Sequence, residues 1–266
     1  MAVWNKILVV LALTIGLSFL ATAPLAKTQP GQYKAEIAQA EKLGRIIYEK
    51  DIAAWVGTDK ILEDLGNDVS GLPIRGWVTD KDGSRYRVNF IGEKDGETKI
   101  YYQAWTKGKK VKKSKTYKQG IELSGEQMSM WRARQLVSSQ KFKQCSQIYN
   151  TVVVPFDDAG EEKQYVYLFA STTDPTKIVV DGHYRYTVSA DGKKILSNIA
   201  FSNGCMEVTK DPKSVMFIVT HLKTNYPQEH HVFINLSHNM ALMVGAAKAD
   251  LMYMVNNGKI KETSEP

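Results

Sequence analysis

Five histidines, His183, His221, His230, His231 and His238, all lie in the last third of the chain. Imidazole is the side chain that best serves as acid, base or metal ligand near neutral pH. Zinc chemistry asks for three or four such donors in tetrahedral reach, and no His-Glu-x-x-His or comparable short motif supplies them. A spatial test is still open. If Ser214–His221 and His230–Leu236 pair as a hairpin, loop 222–229 brings His221, Glu229, His230 and His231 to one end of it. An enzyme built there would use Glu229 or His231 as base and His221 as partner.

Strand geometry argues against such a site. His230 would share a face with Val232, Ile234 and Leu236, and His231 would point with Phe233 and Asn235 to the other. Eight extended residues would place His238 about 26 Å from His230. His183 opens its own strand. The reading is therefore scattered imidazoles, no metal site and no cofactor.

Other catalytic signatures are missing. Ser138-Ser139-Gln140-Lys141 fits a Ser-x-x-Lys pattern, but its companion Lys-Thr-Gly and Ser-Asp-Asn triplets are absent. Gly-x-Ser-x-Gly, Gly-x-Gly-x-x-Gly and EF-hand spacing are absent too. Most of the aspartates in turns have a sufficient cause in the backbone bonds that Asx side chains make. Tyr165, Tyr167, Tyr184 and Tyr186 alternate along strands and are the candidate lining for a small amphipathic ligand.

Cys145 and Cys205 are the only cysteines. An even count in an exported chain favours one disulfide, and the absence of Cys-x-x-Cys speaks against a thioredoxin-like redox site. Export itself is read from Lys6, the apolar run Ile7–Leu20 and the small residues that follow. Together they form a signal-peptide pattern over 1–26, too short for a membrane span. The expected location is the periplasm or the extracellular space.

The net charge of +7 is local. Lys107, Lys109, Lys110, Lys112, Lys113, Lys115 and Lys118 account for it, and the rest of the chain beyond the signal is close to neutral. These lysines 107–118 read as a solvated hairpin or edge strand with a weak attraction to anionic surfaces. No nucleic-acid module accompanies them.

The elements that must position these residues follow from periodicity. Residues 33–65 carry a helical apolar pattern, with a break expected at Gly57-Thr58-Asp59. Ile74–Thr79, Arg85–Ile91 and Thr98–Thr106, separated by Asp-Gly turns, make a three-stranded meander. Ser124-Gly125-Glu126-Gln127 is a capping box that opens a helix running to about Phe142. Beyond it the chain reads as short strands. The fold class is α+β: N-terminal helices with a small β-meander over 27–123, then a helix packed on a largely antiparallel sheet, open or curled, over 124–266. The two parts are free to share one core. The functional expectation is a noncatalytic ligand-binding or interaction domain that meets a small amphipathic molecule or an envelope component. Its rivals are a hydrolase or metal-dependent enzyme near loop 222–229 and a structural cell-envelope protein.

Overall fold

The computed structural model describes residues 31–158, 160–211, 213–248 and 251–263. The signal-like segment over 1–26 lies outside them. Among the described residues the fold is α+β, with three helices and mostly antiparallel sheets.

Helix α1, Lys34–Asp64, is continuous, so the break expected at Gly57 does not occur. Glycine stands there because the helix lies close to a sheet: a Cβ on Gly57 would sit 3.2 Å from Val88 Cγ2 and 3.6 Å from Ala104 Cβ. Thr58 keeps its hydroxyl inside the helix by donating to the Ala54 carbonyl at 2.8 Å.

The sheet beneath is a meander of β1 (Ile74–Asp82), β2 (Arg85–Lys94), β3 (Glu97–Lys107) and β4 (Lys110–Ile121), in that spatial order. The lysine-rich segment is thus a fourth strand, β4, at the edge. Asp95 and Gly96 both take positive φ, 54° and 80°, in the β2–β3 turn, as a tight hairpin requires.

Helix α2, Gly125–Ser138, opens with the expected capping box. Gln127 N–H donates to Ser124 Oγ at 3.2 Å, and Ser124 N–H donates to Gln127 Oε1 at 2.9 Å. It stops four residues short of Phe142.

A second antiparallel sheet has the order β5 (Ile148–Asp158), β6 (Glu161–Ser171), β8 (Tyr184–Ser189), β9 (Ile195–Ala200). The short strands β7 (Lys177–Val179) and β10 (Glu207–Thr209) pair beside it. The last sheet is ordered β11 (Met216–His221), β12 (Ala241–Ala246), β13 (Leu251–Asn256), β14 (Lys259–Thr263). Here the sequence reading fails in one place that matters. Residues 229–238 form helix α3, not a strand, and β11 pairs with β12 in parallel.

The reason is twofold. Parallel neighbours need a crossover, and α3 is that crossover. Glu229 to Asn235 are all buried, so the helix shows no polar face from which a 3.6-residue period could be read.

Packing crosses the boundary expected near residue 124. The first half of α1 (Ala40, Leu43, Ile47) shares a core with Val154, Phe169, Val232 and Val244, whereas Ala53 and Ile61 pack on Val88, Phe90 and Tyr102 of the meander. Helix α2 fills the gap between the meander and the β5–β6–β8 sheet through Met130, Trp131 and Val137. Cys145 and Cys205 are bonded, with Cα atoms 5.2 Å apart. The bond ties the segment before β5 to the loop after β9.

Candidate metal centre

The helical assignment of α3 changes the site. In a strand, adjacent histidines diverge; in the first turn of a helix, His230 and His231 stay close, their ring centroids 3.8 Å apart. Strand β11 delivers His221 to the same place. Its ring lies 4.8 Å from that of His231 and 5.7 Å from that of His230. One nitrogen from each of the three falls within 4.8 Å of the others. The scattering expected from alternation is therefore overturned, because the residues are helical.

Gly44 of α1 allows the close approach that holds this turn. A Cβ at Gly44 would lie 2.5 Å from Val232 Cβ and 2.7 Å from the Glu229 carbonyl oxygen. Only the bare backbone fits.

Each imidazole has a definite surrounding. His221 Nε2 accepts from the Thr224 backbone N–H at 3.2 Å and lies 2.9 Å from Thr224 Oγ1. His231 Nδ1 accepts from the Gln228 backbone N–H at 3.1 Å, taking the place of the glutamate in a capping box. His230 stacks on Phe201 at 4.4 Å, and its buried Nδ1 has no partner. All three residues are less than 5% exposed. Burial therefore disfavours the imidazolium forms: the His221 pKa falls to about 4, and those of His230 and His231 fall well below the ordinary histidine value, with neighbouring imidazoles adding to the effect. Neutral imidazole is the form that binds metal ions.

Glu229 does not face this trio as a free base. Its carboxylate forms an ion pair with Arg185 of β8 and accepts from the Tyr167 hydroxyl at 3.2 Å. His183 stands nearby, its ring 6.2 Å from that of His230. Its Nδ1 accepts from Ala170 N–H at 3.1 Å, and burial takes its pKa to about 4. It is outside the group of three. His238 ends α3, about 12 Å along the helix from His230 rather than 26 Å.

The four tyrosines do not line one surface. Tyr167 pairs across with Arg185, whereas Tyr184 and Tyr186 pair with Leu168 and Val166. Tyr165 and Tyr167 therefore face one core and Tyr184 and Tyr186 the other.

Sequence reasoning missed Arg185, Gln228, Thr224 and Gly44. A signal for the helix start was present: Pro227 precedes Gln228, and Glu229 follows in the first turn, the usual grammar of a helix N-terminus.

Tetrahedral zinc with Zn–N bonds of about 2.0–2.1 Å needs nitrogens about 3.3 Å apart. The trio would have to contract by up to about 1.5 Å to hold such an ion. The positive end of the helix dipole opposes a cation by about 0.3–1 kcal/mol. That is small beside the about 10–16 kcal/mol with which zinc-finger peptides bind their ion. No protein-family model, curated protein or solved structure matches the chain.

Proposed function

We propose that the protein is an exported, noncatalytic binding domain that holds one late first-row transition-metal ion on His221, His230 and His231. The observation that carries this reading is the convergence of three buried, neutral imidazoles within 4.8 Å. An all-nitrogen donor set suits zinc, copper or nickel and does not suit magnesium or calcium.

Burial favours binding over hydrolysis. The three imidazoles are each under 5% exposed, and Glu229, the carboxylate beside them, is engaged by Arg185 and Tyr167. Export is supported by the signal-like run at Ile7–Leu20 and by the Cys145–Cys205 bond, since disulfides persist in oxidising compartments. Periplasm or extracellular space is the proposed location. Among the described residues no helix is long and apolar enough to cross a membrane.

The test is titration of chelator-stripped protein, produced without a histidine tag, with Co(II), Zn(II) and Cu(II). One equivalent should bind, and Co(II) should give a visible absorption band distinct from that of the hydrated ion. His230→Ala should weaken binding by at least about tenfold. Substoichiometric binding, or binding unchanged in His230→Ala and His221→Ala, would overturn the reading.

A further inference from the structure

Asp51 stands in the middle of α1 and in the wall of a pocket of about 280 Å³. The other polar walls are Asn150 near the start of β5, Asp174 in the turn after β6, Lys177 at the start of β7, and Ser237 and His238, the last two residues of α3. The pocket shares no residue with the trio His221, His230 and His231.

The Asp51 carboxylate has no countercharge. Among the described residues it forms no ion pair. Its one polar contact is Asn150 Nδ2, 3.5 Å from Oδ1, which is long for a hydrogen bond. Lys50 and Arg134 line a separate cavity that also touches Asp51, but both are engaged elsewhere. Lys50 donates to the Thr79 carbonyl, and Arg134 donates to the Thr151 carbonyl at 2.8 Å while lying over the Trp77 ring. Lys177, among the described residues the only lysine or arginine lining the pocket, is held by Glu207 at 2.6 Å. Burial pushes the Asp51 carboxyl up to about 6, which still leaves an anion at neutral pH. A recessed, unpaired carboxylate disfavours the folded state, and asparagine would fill the same space without the charge. The surroundings favour a cation further. Ser237 and His238 end α3, so the negative pole of the helix dipole lies at the rim. Burial and the charge of Lys210 hold His238 below the ordinary histidine pKa, so it adds little positive charge at neutral pH.

We propose that this pocket binds a small primary alkylammonium ion on the Asp51 carboxylate. Such an ion brings one positive charge and a full set of N–H donors to oxygens that lack both. A hard divalent cation asks for about 6–8 oxygen ligands, and among the described residues Asp51 belongs to no group of three acidic or histidine side chains that could hold a metal. The volume falls just below the range of about 300–1,000 Å³ typical of sites for drug-sized ligands, so the occupant is limited to a few carbon atoms.

The experiment is a ligand-observed NMR titration of the full chain with propylammonium chloride at pH 7 and constant ionic strength. Uncharged 1-propanol and calcium chloride are titrated in parallel. One saturable site for propylammonium is expected, with a Kd in the low millimolar range and no tighter than about 40 µM, the ceiling for a ligand of four non-hydrogen atoms. Asp51→Asn should weaken it by at least about tenfold. Ser237→Trp, at an exposed position of the rim, should weaken it by about fivefold or more by filling the mouth, and melting curves establish that both variants are folded. His230→Ala should bind propylammonium within about twofold of the unaltered protein, which separates this pocket from the histidine centre. Absence of saturable propylammonium binding, equal binding by Asp51→Asn, equal binding of 1-propanol, or calcium binding that is tighter and depends on Asp51 would overturn the proposal. A loss in His230→Ala as large as in Asp51→Asn would overturn it as well.

Discussion

Glu229 and Arg185 form a largely buried ion pair that fastens the first turn of α3 to the middle of β8. The guanidinium also lies 4.4 Å from the centre of the Tyr165 ring. Because Glu229 is buried and Arg185 keeps only partial solvent contact, removing one leaves the other charge poorly compensated. Glu229→Gln should cost about 3–5 kcal/mol of stability in urea unfolding, and the double variant Glu229→Gln, Arg185→Met should recover much of that loss. A double variant no more stable than the single one would show that the pair acts through something other than uncompensated charge.

Gly44 and Gly57 sit on one helix yet differ in what a methyl group would meet. Gly44→Ala drives a Cβ into Val232 and the Glu229 carbonyl, and overpacking of this kind costs about 1–3 kcal/mol. It should also weaken metal binding, because the displaced turn carries His230 and His231. Gly57→Ala meets its neighbours at 3.2 Å and beyond, and gains helix propensity of up to about 1 kcal/mol. Its melting temperature should lie clearly above that of Gly44→Ala. Paired thermal melts and Co(II) titrations check both statements.

Burial raises the Asp51 carboxyl to about 6. A native pKa above the unfolded value of about 3.9 means that the folded state binds more protons between these limits. Stability is therefore expected to fall as pH rises from about 4 to 6, by about 1–2 kcal/mol for a side chain that keeps some solvent contact. Asp51→Asn should flatten that slope and be the more stable protein at pH 7. Unfolding free energies measured at pH 4, 5, 6 and 7 decide it; parallel curves for the two proteins would contradict the assignment.

The Cys145–Cys205 bond spans 60 residues. Loop-closure entropy gives roughly 4 kcal/mol for a cross-link of this length. The variant Cys145→Ser, Cys205→Ser should unfold at lower denaturant concentration by that order. Its metal stoichiometry should be unchanged, since neither sulfur is among the three ligands.

The sequence disclosed the meander well, because Tyr86, Val88 and Phe90 alternate cleanly and Asp-Gly pairs mark the turns. It disclosed α2 through its capping box. Gly57 misled because glycine signals a break on a surface helix but a close approach on a packed one, and only the partner sheet tells these apart. Residues 229–238 misled for a deeper reason: their first seven positions are all buried and so carry no periodicity, and β-rich neighbours and an apolar stretch imitated a strand. The end-of-loop placement of His221 beside Glu229, His230 and His231 was legible. Their facing was not, since it turns entirely on whether two adjacent residues sit at 180° or 100° to each other. Arg185 was hidden because the sequence holds no trace of which strand lies opposite α3.

All three imidazoles come from residues 221–231, the join between β11 and α3 in a single β–α–β unit. Closing so short a loop costs little chain entropy, and contacts between near neighbours in sequence form fast. The histidine trio can therefore assemble before α1 docks on α3 and before the disulfide closes its 60-residue span. An ion captured by the nascent unit would be enclosed as the rest of the chain packs around it, so exchange from the finished protein should be slow and reloading of the stripped protein should reach one equivalent only after long incubation.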